Sequence, residues 1–107
     1  MRIAIVGQQA FGKSVLEAFL ARGTTIAGVF CAPEKPGDKP DPLRSAAEER
    51  GIPVYQLRSL KGDEAVRTLQ SLNADLGVMA YVLQFAPQAF VTVPKHGTIQ
   101  YLSLIHS

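Results

Sequence analysis

The sequence lacks several features that often identify a protein's class. It has a single cysteine, Cys31, and no tryptophan among 107 residues. One cysteine excludes a disulfide within the chain, which is typical of a reducing compartment and predicts a cytoplasmic location. No apolar run approaches the roughly 18 residues of a membrane-spanning helix. The apolar run after Met1 ends at Gly7, too early for the core of a signal peptide.

Charge of one sign is also scarce. The formal net charge is +2, and the 11 basic residues are scattered along the chain. This pattern favours neither a nucleic acid nor a membrane as a partner. His96, His106 and Cys31 lie too far apart to give the spacing of a metal site. Cys31 is predicted to be a core residue because it lies in an apolar run. His96, at the entrance to the last predicted strand, is predicted to be a structural or exposed residue.

What the chain does have is a regular alternation of short apolar runs and helical patterns. The predicted strands are 2–6, 26–31, 52–56, 76–82 and 98–102, and the predicted helices are 11–22, 42–50, 63–72 and a short one at 87–91. Asp41 is a suitable N-cap for the second helix, because Pro42 follows it. Alternating strands and helices predict one α/β domain with an open parallel sheet and crossover helices.

The turn after the first strand permits two interpretations. Residues 7–14 match the phosphate-binding pattern G-x-x-x-x-G-K-[ST], in which Lys13 and Ser14 would meet phosphate and magnesium. A nucleotide hydrolase also needs an acidic residue at the carboxyl end of another buried strand, and neither 26–31 nor 76–82 is followed by one. Asp75 lies at the opposite end of its strand. The turn is therefore interpreted first as structural, with a phosphate-loop hydrolase as the less favoured alternative.

Several blocks of sequence between residues 1 and 101 carry a family resemblance. The blocks are Met1–Gln8 with Phe11-Gly12, Gly28–Phe30, Lys39–Leu43, Gly51–Val54, Gln84–Pro87 and Pro94–Tyr101. In order and spacing they resemble the folate-dependent formyltransferase family, and within it the N-terminal hydrolase domain of 10-formyltetrahydrofolate dehydrogenases. The resemblance implies a Rossmann-like domain. It would bind 10-formyltetrahydrofolate as its substrate, release or transfer the formyl group in one-carbon metabolism, and need no metal.

The resemblance also implies which residues form the site. Gln84, Phe85 and Ala86 match the segment that lines the family's pterin pocket, partly through backbone groups. Gln100 matches a position that carries asparagine in many formyltransferases. There it would be an auxiliary group that steadies the charge developing on the formyl oxygen.

The family's catalytic histidine, which donates a proton to the folate nitrogen, is missing from its expected place. It follows the tyrosine of the last block, where this sequence has Leu102. Sliding the register by one residue places Tyr101 there instead. His106 lies four residues farther on, about 13 Å along an extended strand. The family's aspartate falls beyond residue 107, so we expect an N-terminal-like domain over 1–107 that is truncated after Tyr101 and has little or no turnover.

Two other predictions remain open at this stage. The first is a non-catalytic module that binds a folate or a partner protein without chemistry. The second concerns the fifth strand, which would be an uncovered, apolar edge if the sheet of the family continues beyond it. An exposed edge of this kind favours self-association.

Overall fold

The structure is a computed structural model that describes residues 1–80 and 86–101, without the side chain of Tyr101. Strands and helices alternate throughout, as the sequence pattern predicts. The elements are β1 (Arg2–Gly7), α1 (Gln9–Ala21), β2 (Thr25–Phe30), α2 (Pro42–Glu49), β3 (Val54–Tyr55), α3 (Asp63–Ser71), β4 (Leu76–Ala80), α4 (Gln88–Val91) and β5 (Thr98–Tyr101).

The strands form one parallel sheet in the order β3-β2-β1-β4-β5. The chain moves outward from β1 to β3, then returns to the other side of β1 for β4 and β5. This reversal creates a topological switch point between β1 and β4, and open α/β sheets bind their ligands outside the carboxyl ends of the strands there. The α/β prediction is confirmed, and for a sheet of this order a ligand site is expected at the carboxyl edge.

The core has two layers because helices cover both faces of the sheet. On one face, α1 and α2 contribute Val15, Leu16 and Leu43 to a cluster with Ile5 and Val78. On the other face, Phe30 of β2 packs edge-on against Phe90 of α4, with ring centroids 5.5 Å apart. Strands covered on both faces are apolar at nearly every position, which is why β1 and β2 appear as continuous apolar runs rather than alternating ones.

The predicted boundaries differ from the observed ones mainly at the strand ends. The third strand is two residues long rather than five, because only Val29 and Phe30 of β2 pair with it. Asp41 is the N-cap of α2, as predicted, and Gly51 turns the chain after that helix with φ +70°. Among the described residues, no helix is long and apolar enough to cross a membrane.

Candidate ligand site at the carboxyl edge of the sheet

A cleft of about 410 Å³ opens beyond the carboxyl ends of β1 and β2. It lies between the start of α1 and the loop that joins β2 to α2. Its wall is formed by Gln8, Gln9, Ala32, Pro33, Glu34, Lys35, Asp38, Lys39, Pro40, Asp41 and Pro42. Gln8 and Asp41 are the buried polar residues of the described part of the chain, at 9% and 6% exposure, and both line this cleft. The polar groups that the fold buries therefore converge on one place.

Asp41 caps two helices with one oxygen atom. Its Oδ1 accepts a hydrogen bond from the Leu43 amide, 2.9 Å away, at the start of α2. The same oxygen accepts from the Gln9 amide, 2.8 Å away, at the start of α1. Helix N-termini leave amide groups without intrahelical partners and carry partial positive charge, so a buried carboxylate is stabilised there. Asp41 thus fixes the N-terminus of α2 against that of α1.

Glu34, in the loop that joins β2 to α2, also fixes the conformation of that loop. Its carboxylate accepts hydrogen bonds from the Asp41 amide at 2.8 Å and from Gln56 Nε2 at 2.8 Å. It also pairs with Arg44 Nη1 at 3.1 Å. These donors come from the loop, the residue after β3 and helix α2. Glu34 and Asp41 together give the cleft a preformed polar wall, in which Asp41 serves as both donor and acceptor.

The hydrogen bonds to Glu34 change its acidity. The Asp41 amide and, next, the Gln56 side chain lower the pKa of the Glu34 carboxyl from 4.5 to about 2. Both donors favour the charged form, because a carboxylate accepts hydrogen bonds better than a carboxylic acid does. Glu34 is therefore ionised at neutral pH and serves as a structural acceptor rather than a general acid.

The phosphate-binding pattern at residues 7–14 does not form a phosphate cradle. Helix α1 begins at Gln9, so Lys13 and Ser14 lie within the helix, exposed, and not in a loop around a bound group. Gly12 faces Leu43 of α2, whose Cδ2 would lie 2.9 Å from an added Cβ. Its role is thus close helix packing. The Gln9 amide already binds Asp41. The structural interpretation of this turn fits the geometry better than the hydrolase alternative.

The predicted pterin-pocket residues fall only partly within the described residues. Gln84 and Phe85 lie outside them. Ala86 is described: it is partly buried and packs against the core cluster that includes Phe30 and Phe90. In the chain, Ala86 comes after β4, which ends at Ala80 on the carboxyl edge. The structure thus places the described end of this block beside the sheet.

The residues predicted around the catalytic position have different outcomes. Leu102 and His106 lie outside the described residues. Gln100 lies in β5, is exposed, and pairs with Met79 of β4. His96 is exposed before β5, at the amino edge, where its amide donates to the Asp75 carbonyl. His96 therefore lies at the opposite end of the strands from the cleft at the carboxyl edge.

Two further predictions about polar residues are confirmed. Cys31 is buried, and burial, followed by the charges of Asp41 and Glu34, raises the pKa of its thiol to about 12. It is a core residue and a poor nucleophile. Asp75 lies at the amino edge, where its carboxylate accepts from the Arg2 amide, and this bond lowers the pKa of Asp75. Asp75 thus lies at the opposite edge of the sheet from the turn at Gly7, the wrong end for a magnesium ligand of the phosphate pattern.

Sequence reasoning missed the roles of Glu34 and Gln56 and the second bond of Asp41. No local pattern indicates Glu34, since it stands in a proline- and charge-rich loop that resembles any solvated segment. The signal for Asp41 was its position before Pro42, which predicts one helix cap but not two. The contact between Asp41 and Gln9 joins residues 32 apart in sequence, and only the packing of α1 on α2 creates it.

Comparison with known proteins gives the following similarities. The chain is 41% identical over 106 residues to cytosolic 10-formyltetrahydrofolate dehydrogenase of Xenopus tropicalis, covering 94% of the chain but 12% of that protein. It is 40% identical to the mitochondrial 10-formyltetrahydrofolate dehydrogenase of Mus musculus, again over 94% of the chain and 11% of the relative. Methionyl-tRNA formyltransferase of Marinobacter nauticus is 36% identical over 92% of the chain and 33% of its own length.

Structural comparison agrees with these relatives. The crystal structure of phosphoribosylglycinamide formyltransferase from Bacillus halodurans superposes with a TM-score of 0.72, over 98% of the chain and 58% of that protein, at 17% identity. No family model matches the chain. The chain spans about an eighth of the length of the 10-formyltetrahydrofolate dehydrogenases that it matches. The predicted resemblance is confirmed: over nearly its whole length the chain is similar to proteins of the folate-dependent formyltransferase family and has a formyltransferase fold.

Proposed function

We propose that this chain forms the folate-binding part of a formyltransferase-type domain that handles 10-formyltetrahydrofolate in one-carbon metabolism. The observation that carries the proposal is the 41% identity to a 10-formyltetrahydrofolate dehydrogenase over 94% of the chain. Its activity would be hydrolytic release of the formyl group or its transfer to an acceptor. Residues 1–107 would correspond to the N-terminal part of such a domain.

The geometry supports the proposal because two blocks of the resemblance lie at the carboxyl edge of the sheet and a third follows a strand that ends there. The block 28–30 forms the carboxyl end of β2, and 39–43 carries Asp41 in the wall of the cleft. The block 84–87 comes after β4, whose carboxyl end adjoins that of β1 at the switch point. Ligands of open α/β sheets bind at this edge.

In this proposal Gln84, Phe85 and Ala86 hold the pterin ring. A pterin presents donors and acceptors along one edge and a flat apolar face. The amide of Gln84 and the backbone of this segment would satisfy the edge, while Phe85 and Ala86 would cover the face. Specific pockets combine a few placed polar groups with apolar walls in this way.

We propose further that this chain binds the folate with little or no turnover. At the position that the resemblance assigns to the proton-donating histidine, the chain has Leu102, and a hydrocarbon side chain has no proton to donate to the folate nitrogen. Gln100 would be an auxiliary group there and could steady the formyl oxygen but not protonate the leaving nitrogen. The same leucine favours the second candidate, a non-catalytic module that binds a folate or a partner protein.

Calorimetric titration with tetrahydrofolate, paired with an assay of formyl release from 10-formyltetrahydrofolate, tests both parts. The expected result is saturable folate binding without formyl release above the uncatalysed rate. Gln84→Ala should weaken binding about tenfold, through the loss of a hydrogen bond to the ring. Gln70→Ala is the matched control, since Gln70 is an exposed glutamine of α3 near the amino edge, and it should bind as tightly as the unchanged chain.

Each contrary outcome has a distinct meaning. Formyl release near the rates of active formyltransferases would refute the prediction of low turnover. Absence of folate binding, with a folded chain and binding by an active formyltransferase measured alongside, would refute the folate assignment. If Gln84→Ala and Gln70→Ala weaken binding equally, the pterin is not held by Gln84.

We also propose that this chain self-associates through β5. That strand is one of the two outer strands of the described sheet, and Ile99 on it is 48% exposed. An edge strand presents unpaired backbone groups that a second copy can meet. Ile99→Lys should reduce association in sedimentation measurements, because a charged side chain protects an edge. A chain that sediments as a monomer at high concentration would contradict the proposal.

A cytoplasmic location is part of the same proposal. It is supported by the single, buried Cys31 and by relatives whose names include the word cytosolic. Other relatives are named as mitochondrial, so the compartment is tested directly by fractionation of cells that express the full-length protein. Recovery with a mitochondrial marker would contradict the cytoplasmic proposal.

A further inference from the structure

Helix α4 directly follows the block 84–87 and is very short. It has four residues, and Ala86 and Pro87 come immediately before it. The Pro87 carbonyl accepts hydrogen bonds from the amides of Phe90, at 2.9 Å, and of Val91, at 3.1 Å. A helix of this length is unstable on its own in water, so its position depends on contacts with the rest of the fold. The contacts that anchor α4 therefore also fix Ala86 and Pro87.

An apolar and a polar contact hold α4 against the sheet. Phe90 is buried, at 1% exposure, and packs edge-on against Phe30 of β2. The polar contact comes from β5, where the Thr98 hydroxyl donates to the Val91 carbonyl at 2.7 Å. The last carbonyl groups of a helix have no intrahelical partner, and this hydroxyl satisfies one of them. Thr98 is thus a hydrogen-bonded link between α4 and the sheet.

The neighbouring strand leaves space for this hydroxyl at Gly77. Thr98 pairs with Gly77 of β4, and a Cβ added at Gly77 would lie only 2.5 Å from the Thr98 Oγ1. A glycine inside a strand often marks a place where another group approaches the backbone closely. The Thr98 hydroxyl is therefore packed against β4 on one side and bonded to α4 on the other.

We infer that Thr98 is a positioning residue that links β5 to α4 and thereby fixes Ala86 and Pro87 beside the sheet. Resting on the proposed function, the inference makes Thr98 a determinant of folate affinity, although it lies at the start of β5 and not at the carboxyl edge. A segment that is ordered before its ligand arrives loses less conformational entropy on binding and binds more tightly. Gln100 lies two residues after Thr98 on the same face of β5, so the link also fixes Ala86 relative to Gln100.

The test is the affinity of the chain for tetrahydrofolate, measured by calorimetric titration for a set of matched variants. Thr98→Val removes the hydroxyl at nearly constant volume and should weaken binding about fivefold, as expected for the loss of one hydrogen bond that orders the segment. Thr98→Ser keeps the hydroxyl and should restore the affinity of the unchanged chain. Thr68→Val removes a hydroxyl that donates to a carbonyl within α3, at 2.8 Å, and should leave the affinity unchanged. Val15→Ala, in the core on the opposite face of the sheet, should lower stability without changing the affinity.

A second measurement follows the anchoring of α4 without any ligand. Hydrogen exchange of the Phe90 and Val91 amides, which donate to Pro87, reports local opening of this helix. Exchange at both amides should be about fivefold faster in Thr98→Val than in the unchanged chain, through the loss of the same hydrogen bond. In Thr98→Ser it should return to the rate of the unchanged chain.

Several results would overturn the inference. One is an unchanged folate affinity, or unchanged exchange in α4, in Thr98→Val, and another is a failure of Thr98→Ser to restore either. A loss of affinity in Val15→Ala as large as that in Thr98→Val would also overturn it, because global stability alone would then explain the effect. Thr98→Ala, which leaves more space beside Gly77, replaces Thr98→Val if that variant does not fold. If the unchanged chain binds no folate but exchange in α4 responds to Thr98→Val, the proposed function fails and the link between Thr98 and α4 stands.

Discussion

Replacing Asp41 with alanine tests whether one carboxylate organises the carboxyl edge of the sheet. The change removes the acceptor of two hydrogen bonds, from Leu43 at the start of α2 and from Gln9 at the start of α1. It leaves the Asp41 amide free to donate to Glu34, because that bond uses the backbone. The perturbation is therefore confined to the two helix caps.

The magnitude follows from those two bonds. Loss of an N-cap side chain costs about 1 kcal/mol, within a range of about 0.5–2. The Gln9 amide loses a partner in a partly buried setting, which adds about 1 kcal/mol. We expect the free energy of unfolding to fall by about 2–3 kcal/mol, a substantial part of the 5–15 kcal/mol typical of a domain. The melting temperature should fall by about 8–20 °C.

The assay is urea unfolding followed by circular dichroism, with Asp38→Ala as the matched control. Asp38 belongs to the same loop and is exposed, so its replacement should change stability by less than about 0.5 kcal/mol. An Asp41→Ala variant as stable as Asp38→Ala would refute the reasoning, because it would mean that the two caps contribute nothing net. A loss much above 4 kcal/mol would also contradict it, since the effect would then extend beyond the two bonds.

Other predictions concern the sheet, the loop and the core. Gly7→Ala should destabilise the fold by about 1–3 kcal/mol in the same urea assay, since the added Cβ would overlap the backbone carbonyl of Ala80 on β4. Gly28→Ala should cost less, because its Cβ would meet movable side-chain ends, and equal costs would refute this reasoning. The pKa of Glu34 is lowered to about 2, so its charge stabilises the folded state above pH 4.5 and that contribution is lost as the pH falls toward 2. Unfolding curves of Glu34→Gln and the unchanged chain should thus differ at pH 6 and converge near pH 2, and a constant difference would contradict the assignment. Cys31, whose pKa is raised to about 12, should react with a thiol reagent at pH 8 at least about 100-fold more slowly than in the unfolded chain, and rapid native labelling would show that it is accessible.

The sheet and its direction were predictable because the pattern is repeated. Each buried strand is an apolar run closed by a turn residue, and each helix has apolar residues at helical spacing, so errors at single residues do not change the fold. The end of β3 was not predictable in the same way. Residues 52–56 have the composition of a strand, but only Val54 and Tyr55 lie in register with residues of β2. Pairing length depends on where the neighbouring strand ends, which is not a local property.

The candidate site was less predictable than the fold. Asp41 was recognised as a helix cap from the local signal of Asp before Pro, but its bond to Gln9 depends on the approach of two helices. The phosphate pattern misled for the opposite reason. The pattern is defined by residue types within eight positions, whereas a phosphate cradle needs a loop whose backbone amide groups are free. Helix α1 begins at Gln9, inside the pattern, so residues 9–14 are helical and do not form such a loop. For Gln84 and Leu102, only the resemblance supplied a role.

The most direct test of the central claim is to map where a folate binds. Tetrahydrofolate would be added to the isotope-labelled chain while the backbone amide resonances are followed by NMR. The account predicts saturable shifts at the carboxyl edge, at Gln8 and at Ala86, with none at Asp75 or Lys95 on the amino edge. Shifts confined to the amino edge, or no saturable shift anywhere in a folded chain, would contradict it.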